Sequence, residues 1–304
     1  MRPFRFGYQA RGGTADDLRD QARRAEAAGF DVISTYDHIG PGWGPTLPLL
    51  AMAQATERIR VCPMVINNDF HHPVLLAAEY SHLDHLTGGR VELGIGAGHS
   101  FTEYEEMGLV FDPPAVRKAR MAEAIEIIRG LLDGEAVTFD GEHYKVHGSA
   151  IMRSQQERLP ILAGVNGKRP LAHAAQHADI IGLMMLGKTL ADGHHHEVRW
   201  QADRLDATVA HIRESAAQRW DQLELNALVQ VVNVTDDREA ALAETVGEVE
   251  SLTLDDARTT PFLAIGSHDE IADHFRECRR RWGISYLTVR DIDAFAPVIE
   301  RMRD

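Results

Sequence analysis

Residues 59–98 read IRVCPMVINNDFHHPVLLAAEYSHLDHLTGGRVELGIGAG and contain a complete strand–helix–strand unit. The apolar, β-branched run Ile59–Ile66 predicts a strand, Pro73–Leu86 predicts a helix with proline in its first turn, and Arg90–Gly94 predicts a second strand. Strands that alternate with helices in this way favour a parallel sheet that is covered by helices.

The same alternation continues in both directions along the chain. Six further strands are predicted at Phe4–Gln9, Asp31–Tyr36, Pro160–Ala163, Asp179–Leu183, Glu224–Val234 and Ile284–Val289. Further helices are predicted at Ala15–Ala28, Leu47–Thr56, Ala115–Leu132, Arg169–Gln176, Glu197–Gln218, Asp237–Glu250, Ile271–Arg281 and Ala294–Met302. Eight strands, nearly all followed by a helix, predict an α/β fold of the (β/α)8 TIM-barrel type.

Three segments interrupt the alternation, at about 97–114, 135–158 and 184–220, and are interpreted as insertions. Within the second, Val137–Val146 predicts a β-hairpin with a two-residue turn at Asp140-Gly141. No stretch rich in Pro, Ser and Gly divides the chain, so residues 1–304 are expected to form a single domain.

Composition excludes several classes of function. The chain has 304 residues, with 32 Lys and Arg against 46 Asp and Glu, a net charge of −14. Nucleic acids and anionic membranes attract positive surfaces, so neither is an expected partner. The N-terminal residues have no apolar run of the length found in signal peptides, and the chain has no apolar stretch of about 18 residues that could span a membrane. Cys62 and Cys278 form no paired motif and are expected to be reduced and structural, in the cytoplasm.

In such a barrel the chemistry lies on the loops that follow the strands, at the C-terminal mouth. After the second strand come Asp37 and His38. A carboxylate next to an imidazole can hydrogen-bond a ligand and transfer a proton near neutral pH. The alternative is an aspartate that caps a helix and a histidine on the surface.

After the third strand come Asn67 and Asn68, whose side chains offer donors and acceptors to a planar heterocycle. The alternative is a polar turn before a helix. His71-His72 and His194–His196 could suggest metal ligands, but consecutive histidines do not share one helix face and lack partners at ligand spacing, so no metal site is predicted.

Two glycine-rich turns also follow strands. Gly94–His99 (GIGAGH) and Ala163–Gly167 (AGVNG) allow backbone N–H groups to approach an anion, usually a phosphate. Neither is a dinucleotide-binding fingerprint or a Walker loop, because the glycine spacing and the lysine of those motifs are missing. Tight turns between strand and helix are the alternative.

Four segments together resemble the bacterial-luciferase-like superfamily, and within it the F420-dependent oxidoreductases: AEAAGFDVISTYDH (25–38), NNDFHHPVLLAAEYSHLDHLTGGRVELGIGAGH (67–99), FDPPAVRKARMAEAIEIIRGLL (111–132) and FDGEHY (139–144). The resemblance extends over almost the whole chain. It implies a (β/α)8 barrel that holds FMN or the deazaflavin coenzyme F420 at its mouth.

The resemblance also implies roles for particular residues. Asp37 and His38 would touch the deazaflavin, and a non-prolyl cis peptide between Met64 and Val65 would let Val65 support the central ring. The cofactor-binding residues implied in addition are Asn67, Asn68, Gly96, Ala97, Gly98, Ala163, Gly164, Val165, Asn166 and Gly167, with the phosphate-bearing tail at Gly96–Gly98.

The substrate pocket is less well defined. Trp43 corresponds to a tryptophan that lines the pocket in sugar-phosphate dehydrogenases of this family. Those enzymes carry a glutamate directly after the GxGxG segment, where this chain has His99, and Glu103 one helical turn later is the candidate replacement. The difference argues against a sugar-phosphate substrate.

We therefore expect an F420-dependent oxidoreductase that transfers a hydride between C5 of the deazaflavin and a small organic substrate. His38 is the first candidate for proton exchange and His99 the second. The alternatives are an FMN-dependent monooxygenase and a barrel that binds flavin or deazaflavin without catalysis. A homodimer is expected, and the substrate is not predicted.

Overall fold

The computed structural model describes residues 1–40, 44–189, 196–249 and 252–303. Numbered in chain order, its strands are β1 (Arg5–Gln9), β2 (Val32–Thr35), β3 (Arg60–Pro63), β4 (Ile66–Asn67), β5 (Leu93–Gly96), β6 (Val137–Asp140), β7 (Lys145–Ser149), β8 (Ile161–Val165), β9 (Ile180–Leu183), β10 (Leu186–Thr189), β11 (His196–Val198), β12 (Glu224–Leu228), β13 (Val231–Val234), β14 (Leu263–Gly266) and β15 (Ile284–Val289).

Nine of these strands form one parallel sheet in the order β3-β2-β1-β15-β12-β9-β8-β5-β4. β3 and β4 are two halves of one strand, interrupted at Met64 and Val65. β4 pairs with β5, and a parallel bridge between Val61 of β3 and Val91 closes the sheet on itself. The sheet is therefore an eight-stranded parallel barrel, and the predicted (β/α)8 TIM-barrel fold is confirmed.

The helices surround the barrel and mostly follow its strands. They are α1 (Ala15–Ala27), α2 (Thr46–Gln54), α3 (Pro73–Leu86), α4 (Phe101–Glu106), α5 (Pro114–Leu132), α6 (Lys168–His177), α7 (Ala202–Ala216), α8 (Arg238–Glu248), α9 (Leu254–Thr259), α10 (His268–Trp282) and α11 (Ile292–Met302). Local signals set several of their ends. Thr14 begins α1 with a capping box, and Gly283 ends α10 in the left-handed conformation.

Several sequence-based boundaries were wrong. The fourth barrel strand is Leu93–Gly96 rather than Arg90–Gly94, so two glycines of GIGAGH lie inside the strand. The hairpin turn is not the two-residue Asp140-Gly141, because β6 ends at Asp140 and β7 begins at Lys145. The predicted strand Glu224–Val234 is divided into β12 and β13, which belong to different sheets.

Short elements were also missed. α4, α9 and β14 were not predicted, β10 lies in a segment interpreted as loop, and α7 begins at Ala202 rather than Glu197. Elements of four to six residues carry too little periodicity to be recognised, and tertiary packing decides whether they form.

The barrel interior is layered and positions the mouth. At its floor, Arg5 lies between the buried carboxylates of Glu92 and Glu224, and its guanidinium is 2.5 Å from Glu224. Above them is an apolar layer made of Val32, Cys62, Leu162, Ile180 and Tyr286. Met64 and Val65 pack on this layer from the mouth side. Because the interior is filled, a ligand is expected at the strand C-termini rather than inside the barrel.

Both cysteines are free thiols and buried, as expected. In the described part of the chain, no helix combines the length and apolar character needed to cross a bilayer.

Candidate active site

His38 and Glu103 come together at the mouth although they are far apart in sequence. His38 lies just beyond β2 and Glu103 in α4, and Nδ1 of His38 is 2.6 Å from Oε1 of Glu103. The Glu103 side chain is 12% exposed and that of His38 is 44% exposed, so the imidazole is reachable from solvent while the carboxylate is largely covered. The ring of His99 meets that of His38 edge-on, with centroids 5.4 Å apart.

This geometry determines which imidazole nitrogen can face a substrate. A carboxylate that accepts from Nδ1–H orients the ring and leaves Nε2 as the second functional nitrogen. Glu103 is therefore placed to orient the His38 imidazole, as a carboxylate beside a histidine can.

Asp37 points inward and joins the second and third strands. Its Oδ2 accepts a hydrogen bond from the backbone N–H of Asn67 at 2.9 Å and lies 3.5 Å from Nε2 of His71. The residue is 9% exposed. In this structure, Asp37 thus fixes the start of the loop that follows β4 and places its neighbour His38 at the mouth.

The Asn67 side chain links this loop to the first glycine-rich turn. Its Oδ1 accepts from the hydroxyl of Tyr104 at 3.1 Å, and the same hydroxyl is 3.0 Å from Oδ2 of Asp69. Burial raises the pKa of Tyr104, so the phenol stays protonated and donates. A Cβ at Gly98 would lie 2.5 Å from Oδ1 of Asn67, and Gly98 has φ +70°. Both facts require glycine there.

The side chain of Val65 packs next to three glycines of strands β5 and β8. The Met64–Val65 peptide is cis, as the resemblance implied. A Cβ at Gly96 would lie 2.6 Å from Cγ2 of Val65, and Cβ atoms at Gly94 and Gly164 would lie 3.3 and 3.4 Å from its Cγ1. Gly96 therefore leaves the space that Val65 fills, and Gly94 and Gly164 border that space. Val65 itself is partly exposed, so it forms an apolar surface between neighbouring strands at the mouth.

Arg117 of α5 supports the first glycine-rich turn from below. Its Nε donates to the carbonyl of Ala97 at 3.2 Å and its Nη2 to that of Gly98 at 3.3 Å. Nη1 donates to the carbonyl of Asp112 at 2.5 Å, and the guanidinium lies 3.9 Å from the centroid of the Phe111 ring. Arg117 is 5% exposed. It connects the turn to the segment that leads into α5.

A cavity of about 250 Å³ lies beside the second glycine-rich turn. It is partly basic, and its lining includes Val165, Asn166, Gly167, Lys168, Met184, Met185, Arg199, Arg204 and His211. Lys118 of α5 is close by, since its Nζ lies 3.9 Å from the position of a Cβ at Gly167. Burial, with Arg117 and Arg199 nearby, lowers the pKa of Lys118. This end of the mouth is therefore suited to an anion.

The remaining candidate residues are distributed as follows. Ala163 is fully buried, whereas Gly164 and Asn166 are partly exposed at the end of β8. Asn68 is 1% exposed, and its amide donates to the hydroxyl of Tyr144 in the hairpin at 3.2 Å. Trp43, like His194 and His195, lies outside the described residues.

Sequence reasoning did not find several residues of the mouth. The amide of Gln9 donates to the carbonyl of Met64 at 3.3 Å and accepts from Nε of Arg290 at 2.7 Å. Arg117, Arg199 and Arg204 were also missed. Single arginines and a glutamine carry no local motif. Only the position of Gln9 at the end of β1 and of Arg290 just after β15 could have indicated that these two residues lie at the mouth.

Comparison of the sequence with known protein families identifies the family of this chain. Residues 2–286 match the profile of the family described as luciferase-like monooxygenase. The chain belongs to the luciferase-like monooxygenase family.

Relatives in this luciferase-like family include reductases, dehydrogenases and monooxygenases. An F420-dependent glucose-6-phosphate dehydrogenase of Nakamurella multipartita is 33% identical over 187 residues, covering 58% of this chain and 55% of the relative. A 5,10-methylenetetrahydromethanopterin reductase of Archaeoglobus fulgidus is 35% identical over 163 residues, covering 54% and 47%. The chain thus spans about half the length of these curated relatives. A 4-hydroxyprotoasukamycin monooxygenase of Streptomyces nodosus subsp. asukaensis is 28% identical over 290 residues, covering 84% and 74%.

Solved structures share the luciferase-like fold over the full length. The coenzyme F420-dependent tetrahydromethanopterin reductase of Methanopyrus kandleri superimposes with a TM-score of 0.77 at 18% identity, covering 99% of this chain and 100% of the other. An F420-dependent secondary alcohol dehydrogenase in complex with an F420-acetone adduct gives 0.77 at 19% identity, covering 100% of both. At this identity, the likeness concerns the fold.

Proposed function

We propose that this protein is an F420-dependent oxidoreductase that acts on a small organic molecule. The observation that carries the proposal is the presence at the mouth of both the Val65 surface, for which Gly96 leaves the space, and the His38–Glu103 pair. The first supplies an apolar support for a planar ring and the second a positioned proton donor or acceptor. Among the relatives, those named as F420-dependent support the choice of cofactor.

The residues present fit a deazaflavin with an anionic tail. Val65, with Gly96 behind it, offers a face without charged side chains, which suits an aromatic ring system, and the turn at Gly96–Gly98 remains the proposed contact of the phosphate-bearing tail. The cavity beside Gly167 carries Arg199 and Arg204, which suit a phosphate. When bound there, F420 would supply hydride transfer at C5 of its deazaflavin.

The chain's own residues then perform three tasks. Val65, with Gly96 and Gly164 behind it, positions the ring. Asp37 and Asn67 hold the loop that carries these contacts, and Arg117 holds the first glycine-rich turn. We assign proton exchange with the substrate to Nε2 of His38, oriented by Glu103, while His99 lies close enough to border the same substrate.

We further propose a homodimer, the commonest symmetric assembly of enzymes. A cytoplasmic location agrees with two buried free thiols, since reducing compartments preserve thiols. The substrate is a small molecule whose identity the loops at 39–45, 99–114 and 184–198 would select.

An FMN-dependent monooxygenase is the second candidate. The observation that favours it is the relative named 4-hydroxyprotoasukamycin monooxygenase, whose match covers 84% of this chain. Both candidates use a ring system at the same mouth, so the barrel alone does not discriminate between them.

Titration of the purified chain with F420 and, separately, with FMN tests the choice, with quenching of each cofactor's fluorescence as the signal. We expect saturable binding of F420 that is much tighter than that of FMN. Tight FMN binding without F420 binding would overturn the proposal. With F420 bound, oxidation and reduction in the presence of glucose 6-phosphate, secondary alcohols and methylene-pterins are then followed by absorbance. Bound F420 that never changes redox state with any donor or acceptor would instead indicate a binding protein without catalysis.

A further inference from the structure

Helix α6 carries two histidines on one face, in the half of the helix that is directed away from the mouth. His173 and His177 are four residues apart, which places them on consecutive turns of the same helix face. Their rings are stacked, with centroids 4.4 Å apart and an interplanar angle of 19°. α6 begins at the mouth after Gly167 and runs to the N-terminal side of β9, so this pair lies far along the helix from the cofactor cavity.

The neighbouring helix α5 adds a carboxylate to the pair. Oε1 of Glu126 lies 2.8 Å from Nε2 of His173. One ligand atom from each of Glu126, His173 and His177 can be chosen so that all three lie within 4.8 Å of one another. The two imidazoles are half-buried and the carboxylate is exposed, so the group is open to solvent on one side.

The nearby cations have partners of their own. Arg129 pairs with Asp133 at 3.1 Å and with Asp179 at 2.6 Å. Arg219 donates to the backbone carbonyls of Ala175 and Ala178, at 2.7 and 2.8 Å. Neither of these contacts uses the Glu126 carboxylate, which leaves its oxygens available to a ligand beyond His173.

We propose that Glu126, His173 and His177 form a zinc site that joins α5 to α6. Two imidazole nitrogens and one carboxylate oxygen are a donor set that Zn²⁺ prefers, with water in the fourth position. Bond lengths of about 2.0–2.2 Å in a tetrahedron bring the ligand atoms to about 3.4 Å from one another. The present spacing of up to 4.8 Å is wider, so ion binding would draw the three side chains together.

The location indicates what the ion does. The barrel end opposite to the mouth contributes stability rather than chemistry. An ion that binds the folded chain and not the unfolded one raises the stability of the fold. The zinc ion therefore clamps two helices of the outer layer and takes no part in cofactor binding at the mouth.

The test uses the full chain, freed of any purification tag and of metal by a chelator, titrated with ZnCl2 in a calorimeter and, in parallel, with Co²⁺ by visible absorption. We expect one ion per chain, a rise in Tm with Zn²⁺, and the absorption bands of tetrahedral Co²⁺. His173→Gln and the double variant His173→Ala/His177→Ala should weaken binding at least about tenfold. Glu126→Gln should weaken it less, and none of these changes should alter the circular dichroism spectrum.

Two matched controls separate this site from other histidines. His82→Ala, on the exposed face of α3, and the triple variant His194→Ala/His195→Ala/His196→Ala should bind Zn²⁺ like the wild type. Absence of binding to the wild type, unchanged affinity in the double variant, or loss of binding in the triple variant would each overturn the proposal.

Discussion

Nδ1 of His38 lies 2.6 Å from Oε1 of Glu103, across 65 residues of sequence. α4, which carries Glu103, is only six residues long and follows the first glycine-rich turn directly. The imidazole is therefore held by the same loop that is proposed to contact the cofactor, so that proton transfer and cofactor position depend on one segment.

Replacement of Glu103 should lower turnover without abolishing cofactor binding. Without the carboxylate, His38 loses its orientation, and positioned proton transfer contributes about 10²–10⁴-fold to a rate. We expect Glu103→Ala to reduce kcat/KM by about tenfold or more and Glu103→Gln by less, because the amide oxygen still accepts from Nδ1–H. Steady-state kinetics and F420 titration measure both. Equal loss of F420 affinity and turnover would show that Glu103 acts on the cofactor rather than on His38.

Replacement of Gly96 by alanine should destabilise the fold and weaken F420 binding, and Val65→Ala as a second change should restore the stability but not the binding, because Val65 is the proposed support of the ring. The new Cβ would lie 2.6 Å from Cγ2 of Val65 and would displace that side chain from its present position. Val65→Ala removes the obstructing methyl groups, so the double variant should fold as stably as Val65→Ala alone. Thermal unfolding and F420 titration of the two single variants and the double variant check this.

Gly94 provides the contrast. A Cβ there would run into the backbone carbonyl oxygen of Pro63 as well as approach Val65. A backbone atom cannot be trimmed by substitution, so Val65→Ala should not rescue Gly94→Ala. If Val65→Ala restored the stability of Gly94→Ala as fully as that of Gly96→Ala, this account of the glycines around Val65 would be wrong.

Loss of the Arg117 guanidinium should destabilise the first glycine-rich turn. Arg117→Met removes the donors to the carbonyls of Ala97 and Gly98, which are half-buried residues, so the loss should not exceed the cost of about 1–3 kcal/mol for a buried acceptor left without a partner. We expect a lower Tm together with weaker F420 binding, and a smaller effect from Arg117→Lys. Arg129→Met, at the distant end of α5, is the control: it should lower Tm and leave the F420 affinity of the folded protein unchanged.

A buried histidine far from the mouth should make the fold sensitive to acid. Burial lowers the pKa of His274 from its ordinary value of 6.5 to about 4; the hydrogen bond that its Nε2 donates to the carbonyl of Thr260 at 2.9 Å opposes this shift, and Arg238 adds to it. The folded pKa lies below the unfolded one, so the unfolded chain takes up the proton first as pH falls. The stability present above pH 6.5 is therefore lost progressively between 6.5 and about 4.

Urea unfolding of the wild type and His274→Gln measures this loss. Between about pH 7.5 and about pH 5, the wild type should lose up to about 2 kcal/mol more of its free energy of unfolding than the variant. Parallel pH profiles of the two proteins would contradict the burial of an uncharged imidazole at this position.

Much of the fold was predictable because its signals are local. α3 and β15 have the predicted bounds, since a proline at the start of a helix and a run of apolar residues in a strand act over a few positions. The errors fall where tertiary contacts override the local pattern. β5 starts at Leu93 because its partner strands, not its own apolar run, determine where pairing continues.

The barrel and the segments at its mouth were thus determined by the sequence itself, because alternation of strands and helices leaves few ways to bury both faces of a parallel sheet. Asp37, His38 and the two glycine-rich turns were recognisable from the sequence because each is a short motif at the end of a predicted strand. Only the tertiary structure decided that Glu103 reaches His38, that Val65 rests on Gly96, and that Arg117 supports the turn below. Those relationships depend on closure of the barrel, which brings together side chains whose separation along the chain carries no periodic signal.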